Sequence, residues 1–202
     1  MLDVDCERGG RIWAFADRGF EHVTGLDPAF DNLQPARVTA TEKAPRATFV
    51  QGSPLHYPFP DSSFEEVLIL SGRFGGGLAA DIALLRESLR VLAPCGTLWF
   101  STADGNWARD PLDSQITARY RSPEYGNFDR VTHVTDAQRD AVTEQGLTER
   151  LYGPCELTDV LYDLGFRAVS YRAHEFGFAA TRHGSAKKPP RLLVRCRAPR
   201  PS

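Results

Sequence analysis

Asp3, Asp5, Glu7, Gly9 and Asp27 are the residues of this chain whose types and spacing could do chemistry. The segment Met1-Leu2-Asp3-Val4-Asp5-Cys6-Glu7-Arg8-Gly9-Gly10 reads as a buried strand running into a turn and then a helix, and Val23-Thr24-Gly25-Leu26-Asp27 as a second strand ending in a carboxylate. Such a turn brings its backbone close to a ligand, and an acid about 20 residues further on can accept hydrogen bonds from both hydroxyls of a ribose. The pattern is a cradle for an adenosine, altered at two places where acids stand instead of glycine. Asp27 also admits a plainer reading, as a turn residue before Pro28. Asp3, Asp5 and Glu7 alternate, which along an unbroken strand would aim three carboxylates to one side, toward a hard cation. A strand that ends near Asp5 breaks this alignment, and no metal is expected.

These residues need elements to hold them. Apolar β-rich runs over 1–4, 22–26, 48–51, 66–70 and 97–101 alternate with helical patterns over 10–18, 30–41 and 79–92. That alternation predicts a parallel sheet covered by helices on both faces. In the clearest helix, residues 82, 85, 89 and 92 make one apolar stripe and Pro94 ends it. Residues 104–146 are polar and aperiodic, with Trp107, Tyr120, Tyr125, Phe128 and His133 among them. A stretch of that length in a compact domain argues for a cap over a pocket, with room for an antiparallel hairpin. Regular structure resumes with a helix over 155–164, stopped by Gly165, and strands over 166–171 and 191–196 joined by a loop around 184–190. Such a pair predicts an antiparallel edge on the parallel sheet.

The chain as a whole limits the options. Its 202 residues, 42% hydrophobic and 25% charged, suit one well-buried domain over 1–202. A net charge of -2 gives no general attraction to a phosphate backbone, although the stretch 187–200 is locally basic, so nucleic acid is not expected as a partner. The four cysteines show neither metal-ligand spacing nor a disulfide framework, which fits reduced thiols in a cytosol. No run approaches the roughly 18 apolar residues needed to cross a bilayer, and no basic-then-apolar leader opens the chain, so a cytoplasmic protein without membrane partners is expected.

The residues resemble the class I S-adenosylmethionine (SAM) dependent methyltransferases, in particular their small-molecule, type 11-like branch. Leu2-Asp3-Val4-Asp5-Cys6-Glu7-Arg8-Gly9 is similar to that family's LDxGCGxG turn, Val23-Thr24-Gly25-Leu26-Asp27 to its VxGxD strand, and Phe49-Val50-Gln51-Gly52-Ser53 to its xxxGD segment. The run Leu55-His56-Tyr57-Pro58-Phe59-Pro60-Asp61-Ser62-Ser63-Phe64-Glu65-Glu66-Val67 is close to LPFPDxSFDxV, and Leu89-Arg90-Val91-Leu92-Ala93-Pro94-Cys95-Gly96 to RVLKPGG. Each piece alone is weak; their shared order and spacing make the signal specific. The resemblance implies a doubly wound, Rossmann-like sheet of seven strands, mostly parallel with an antiparallel C-terminal edge strand. It also implies SAM as cofactor and a small-molecule substrate. A homodimer is among the assemblies the sequence allows.

Carried over residue by residue, the resemblance sets Asp3 near the methionine part of SAM, Asp5, Gly9 and Pro28 around the cradle, and Asp27 on the ribose. Ser53 falls where the family has an acid for the adenine amino group, and Ser71 in the loop beside the reactive methyl. Asp5 and Glu7 replace glycines, so if positive φ is needed each costs on the order of 1–2 kcal/mol. A hydroxyl in place of a carboxylate at Ser53 loses about 1 kcal/mol. Together these departures predict SAM binding weaker by about two to three decades, or lost. Family members also carry residues ahead of the first strand that close over the cofactor, so the expected pocket is more open, by truncation or by loss.

For the acceptor, Ser71-Gly72-Arg73-Phe74-Gly75-Gly76-Gly77 resembles the loop beside the methyl, with glycines that admit a substrate and Arg73 to orient an anionic one; it reads equally as a flexible turn. His133 and His56 are candidate bases, and lone loop histidines are also commonly solvated bystanders. Two functions follow: a SAM-dependent small-molecule methyltransferase, or a methyltransferase-like protein that lost its cofactor and binds a partner or does cofactor-free chemistry in the old pocket.

Overall fold

The computed structural model describes residues 1–70, 74, 77–103, 140–142, 148–150, 152–174 and 191–200. In chain order the elements are β1 (Leu2–Val4), α1 (Gly10–Ala16), β2 (Thr24–Asp27), α2 (Phe30–Lys43), β3 (Thr48–Gln51), β4 (Phe64–Ile69), α3 (Leu78–Val91) and β5 (Leu92–Ala103), followed by β6 (Asp140–Val142), β7 (Thr148–Arg150), α4 (Pro154–Asp163), β8 (Arg167–His174) and β9 (Arg191–Arg197). Seven strands form one sheet in the order β3-β2-β1-β4-β5-β9-β8, and β6 pairs antiparallel with β7 in a separate two-stranded sheet. Strands β1 to β5 pair in parallel. β9 enters antiparallel between β5 and β8. The expected α/β sheet with an antiparallel C-terminal edge is therefore present, the edge being a pair of strands whose last member lies one place inside.

Strand order reverses around β1, which has β2 on one side and β4 on the other. In open α/β sheets the crevice at the carboxyl ends of the strands beside such a reversal is where ligands bind. The turn after β1 opens there. The sheet's two faces bury separate cores: one with Leu84, Leu85 and Val91 of α3 and Leu157 and Leu161 of α4, the other with Ile12 of α1 and Leu33, Ala36 and Ala40 of α2. Gly25 is needed where β2 passes under the turn, because a Cβ there would stand 2.6 Å from Cys6 Sγ and 2.7 Å from Ile12 Cδ1.

The periodicity reading of α3 is corrected. Its deepest stripe is Asp81, Leu84, Leu85, Ser88 and Val91, while Ile82 and Leu89 are half-buried. Two polar residues take core positions because each has a buried partner: Tyr152 Oη donates to Asp81 Oδ2 (2.6 Å), and the Tyr57 and Ser88 hydroxyls lie 3.1 Å apart. The helix also stops at Val91, ahead of Pro94, since Leu92 already has extended dihedrals and begins β5. Gly165 does end α4, at φ 104, with Phe166 N–H donating back to Leu161 C=O (2.9 Å). Among the described residues no helix is long and apolar enough to cross a membrane.

Candidate functional site at the carboxyl end of the parallel strands

β1 ends at Val4, and the chain then takes left-handed conformations at Asp5 (φ 58), Glu7 (φ 51) and Gly9 (φ 81). Both acids thus occupy the backbone region that favours glycine, and the three acids do not share one side of a strand. Asp tolerates this region better than most residues, Glu less well. The path is held by Cys6 N–H donating to Leu26 C=O (3.0 Å) and Gly9 N–H donating to Cys6 C=O (3.0 Å). A Cβ at Gly9 would stand 2.7 Å from the Trp13 ring, so this glycine serves conformation and packing together. Burial pushes the Cys6 thiol up to about 12, which removes it as a nucleophile.

Asp27 closes β2 and is 1% exposed. Its Oδ2 accepts from the Glu7 backbone N–H (2.8 Å), and its Oδ1 from Ala29 N–H (2.8 Å) and Asn32 Nδ2 (3.1 Å). The carboxylate is therefore the brace of the altered turn, buried and largely satisfied. A carboxylate has about four lone-pair sites, so roughly one remains for a ligand hydroxyl in this arrangement. Gly52 N–H donates to the Asp27 C=O (3.2 Å), and Gln51 Nε2 to the Pro28 C=O (3.1 Å), which ties the end of β3 to the same corner. Ser53 follows there; it is exposed, and its Oγ accepts from Leu55 N–H (3.1 Å).

Asp3 lies fully buried on β1, and Arg11 Nε donates to both its oxygens (3.0 and 3.1 Å). Arg11 Nη2 reaches the Asp5 C=O as well (2.7 Å). Burial raises the Asp3 carboxyl to about 6, and the Arg11 guanidinium pulls the other way. Arg11 and Asn32 are the residues sequence reasoning missed. A signal existed for the first, since an arginine in the first turn of a helix opposes the helix dipole unless a carboxylate answers it.

On the acceptor side, Phe74 packs between Phe100 (centroids 4.5 Å apart) and Tyr152 (5.3 Å), next to the Asp81–Tyr152 hydrogen bond. Thr102, two residues beyond Phe100 and so on the same face of β5, buries an Oγ1 without a hydrogen-bond partner. His56 is exposed, with Nδ1 3.9 Å from Glu87 Oε2. Ser71, Arg73 and His133 lie outside the described residues, as do Trp107, Tyr120, Tyr125 and Phe128. Asp3, Asp5, Gly9, Asp27, Pro28 and Ser53 are thus gathered at the ends of β1, β2 and β3.

The residues present fit an adenosyl group at that corner: the turn keeps its left-handed path, Gly9 keeps its bare backbone, and a buried carboxylate ends β2. A doubly wound seven-stranded sheet of order β3-β2-β1-β4-β5-β9-β8 with this corner defines the class I SAM-dependent methyltransferase architecture. The chain belongs to that family, in its small-molecule branch. A family model described as a methyltransferase domain matches residues 1–96. A demethylmenaquinone methyltransferase of Listeria monocytogenes serotype 4a is 32% identical over 197 residues, covering 93% of this chain and 78% of that protein. Among solved structures, a SAM-dependent methyltransferase from Methanosarcina mazei superposes with a TM-score of 0.73 at 18% identity, covering 99% of this chain and 92% of the other. The [4+2]-cyclase SpnF does so with a TM-score of 0.67 at 19% identity, covering 99% and 75%.

Proposed function

We propose that this chain binds SAM between the end of β1, Gly9 and the end of β2 and transfers its methyl group to an aromatic small molecule of the quinone type. The observation that carries the reading is the turn itself, which holds left-handed backbone at residues 5, 7 and 9 although two of them are acids, with Asp27 bracing it from β2. Strained backbone of this kind clusters at ligand sites. The demethylmenaquinone methyltransferases that resemble this chain suggest the acceptor class; Phe74, Phe100 and Tyr152 are fully buried against one another and would back the acceptor site from the core rather than line it.

Bound there, SAM would supply an activated methyl group. This chain's residues would do the rest: Asp27 accepts a ribose hydroxyl, Ser53 accepts from the adenine amino group, and Asp3 and Asp5 flank the amino-acid end. Transfer then depends chiefly on holding the acceptor in line. Arg73 would orient an anionic acceptor and His133 would take its proton in this reading; both residues, and nearly all of the 104–146 stretch expected as a cap, lie outside the described residues. The four cysteines carry no disulfide, which suits a cytosolic setting.

Calorimetry on the full chain with SAM and its demethylated product tests the donor site, and Asp27→Ala should weaken binding by at least about 100-fold, roughly 2.7 kcal/mol. A flat wild-type titration at millimolar ligand sinks the reading. The second reading, a cofactor-lost relative, rests on one observation: Asp27 already accepts three protein hydrogen bonds. Mass-spectrometric detection of a methylated quinol product would remove it.

A further inference from the structure

The end of β1 offers two oxygen acceptors side by side, the Asp3 carboxylate and the Asp5 carbonyl, and one side chain takes both. Arg11 donates through Nε to Asp3 (3.0 and 3.1 Å) and through Nη2 to Asp5 C=O (2.7 Å). An anionic oxygen pair beside a backbone carbonyl is also what a primary ammonium needs, because its three N–H donors have no acceptor of their own. Arg11 stands between these acceptors and solvent: its side chain is 27% exposed and that of Asp3 is 0% exposed. Of the two side chains, the guanidinium is the one open to solvent.

We propose that Arg11 fills the place of a ligand ammonium at the end of β1, so that the cradle selects adenine nucleosides by their nucleoside and thioether parts and draws little affinity from an amino-acid end. This rests on the reading that the cradle holds an adenosyl ligand. The nucleoside half depends on a different carboxylate, Asp27, which is bonded to Glu7, Ala29 and Asn32. The ammonium of an α-amino acid end arriving at β1 meets acceptors that Arg11 already occupies, and only its carboxylate has a partner there, in the guanidinium. Specificity then comes from an internal like charge held against the ammonium as much as from attraction.

The test is calorimetry on the full chain with three probes: SAM, S-adenosylhomocysteine, and 5′-deoxy-5′-methylthioadenosine, which has no amino-acid end. Wild-type protein is expected to bind methylthioadenosine within about threefold of S-adenosylhomocysteine, and Arg11→Gln should tighten the two amino-acid ligands by about tenfold while leaving methylthioadenosine unchanged. Arg11→Lys keeps a cation opposite Asp3 without the fork, guards against a folding failure, and should tighten them less. Wild-type preference for S-adenosylhomocysteine by more than about 30-fold, or weaker binding of it in Arg11→Gln, overturns the inference while leaving the donor site standing. Silence with all three probes, in wild type and variants, removes the donor site and this inference with it.

Discussion

Arg90 and Arg11 hold opposite edges of the same sheet, and they are used differently. At the amino edge, near the end of α3, Arg90 donates through Nε to Glu87 (3.0 Å), through Nη1 to Phe59 C=O and Asp61 (2.8 Å each), and through Nη2 to Tyr57 C=O (3.0 Å) and Glu87 (2.8 Å). A guanidinium has about five N–H donors, and this knot uses all of them. At the carboxyl edge, among the described residues, Arg11 engages Asp3 and Asp5 through Nε and Nη2. A saturated arginine is scaffold, because it has nothing left to offer a ligand. One with fewer bonds to the described residues, beside strained backbone, is the mark of a site. The comparison also explains why the LPFPDxSF-like and RVLxPG-like segments are so recognisable: Arg90 stitches the first to the second, and Glu87 Oε2 accepts from Tyr57 N–H (2.8 Å) to complete the stitch.

Breaking the amino-edge knot should have the largest effect. Arg90→Ala leaves two backbone carbonyls without this donor and the half-buried Glu87 with only the Tyr57 N–H, a loss of about 4 kcal/mol and roughly 10 °C in Tm for a chain of this size. Calorimetric affinity for adenosyl ligands should not move at temperatures where the variant is folded. If affinity fell while Tm held, the assignment of the two edges would be reversed.

The carboxyl edge should respond in the other direction. Asp5→Gly combined with Glu7→Gly removes side chains from two left-handed positions, φ 58 and φ 51, and should raise the unfolding free energy by about 1.5 kcal/mol. The readout is the urea midpoint at constant slope. Adenosyl affinity should rise with it, since the same change clears the rim of the cradle. A lower midpoint would mean that these carboxylates stabilise the turn by more than their backbone costs.

Much of this was legible in the chain itself, and the parts that were not share a cause. The alternation of strands and helices, the antiparallel edge, Gly165 as a helix stop and the placement of Asp27 all followed from local pattern, because period and turn chemistry are properties of neighbours in sequence. The stripe of α3 was misread because Asp81 and Ser88 look like surface residues until Tyr152 and Tyr57 arrive from distant segments. The role of Arg11 was missed for a similar reason: its partners on β1 and in the turn are set by how the chain reverses between strand and helix, which no periodicity encodes. Sequence located the site's acids and overlooked the cation among them.

The smallest expected effect separates the two edges by sign. Burial lifts Asp3 from 3.8 to about 6, so the folded chain holds this proton more tightly than the unfolded chain. Stability is then lost as pH rises from about 4 through about 6 and levels off roughly a unit above, with about 1 kcal/mol falling between pH 5 and 6. Glu87 works the other way: the hydrogen bond from Arg90 lowers its carboxyl, so its contribution is present above the ordinary value of 4.5 and lost as pH falls through the lowered one. Urea unfolding across the acid range, from below pH 4 to pH 7, should show the decline between pH 5 and 6 in wild type and a flat line there in Asp3→Asn. Glu87→Gln should keep the decline and lose the acid-side drop. A decline that persists in Asp3→Asn would mean that the buried carboxyl at the carboxyl edge is not the group that titrates, and the contrast between a saturated scaffold and an underfilled site would lose its electrostatic half.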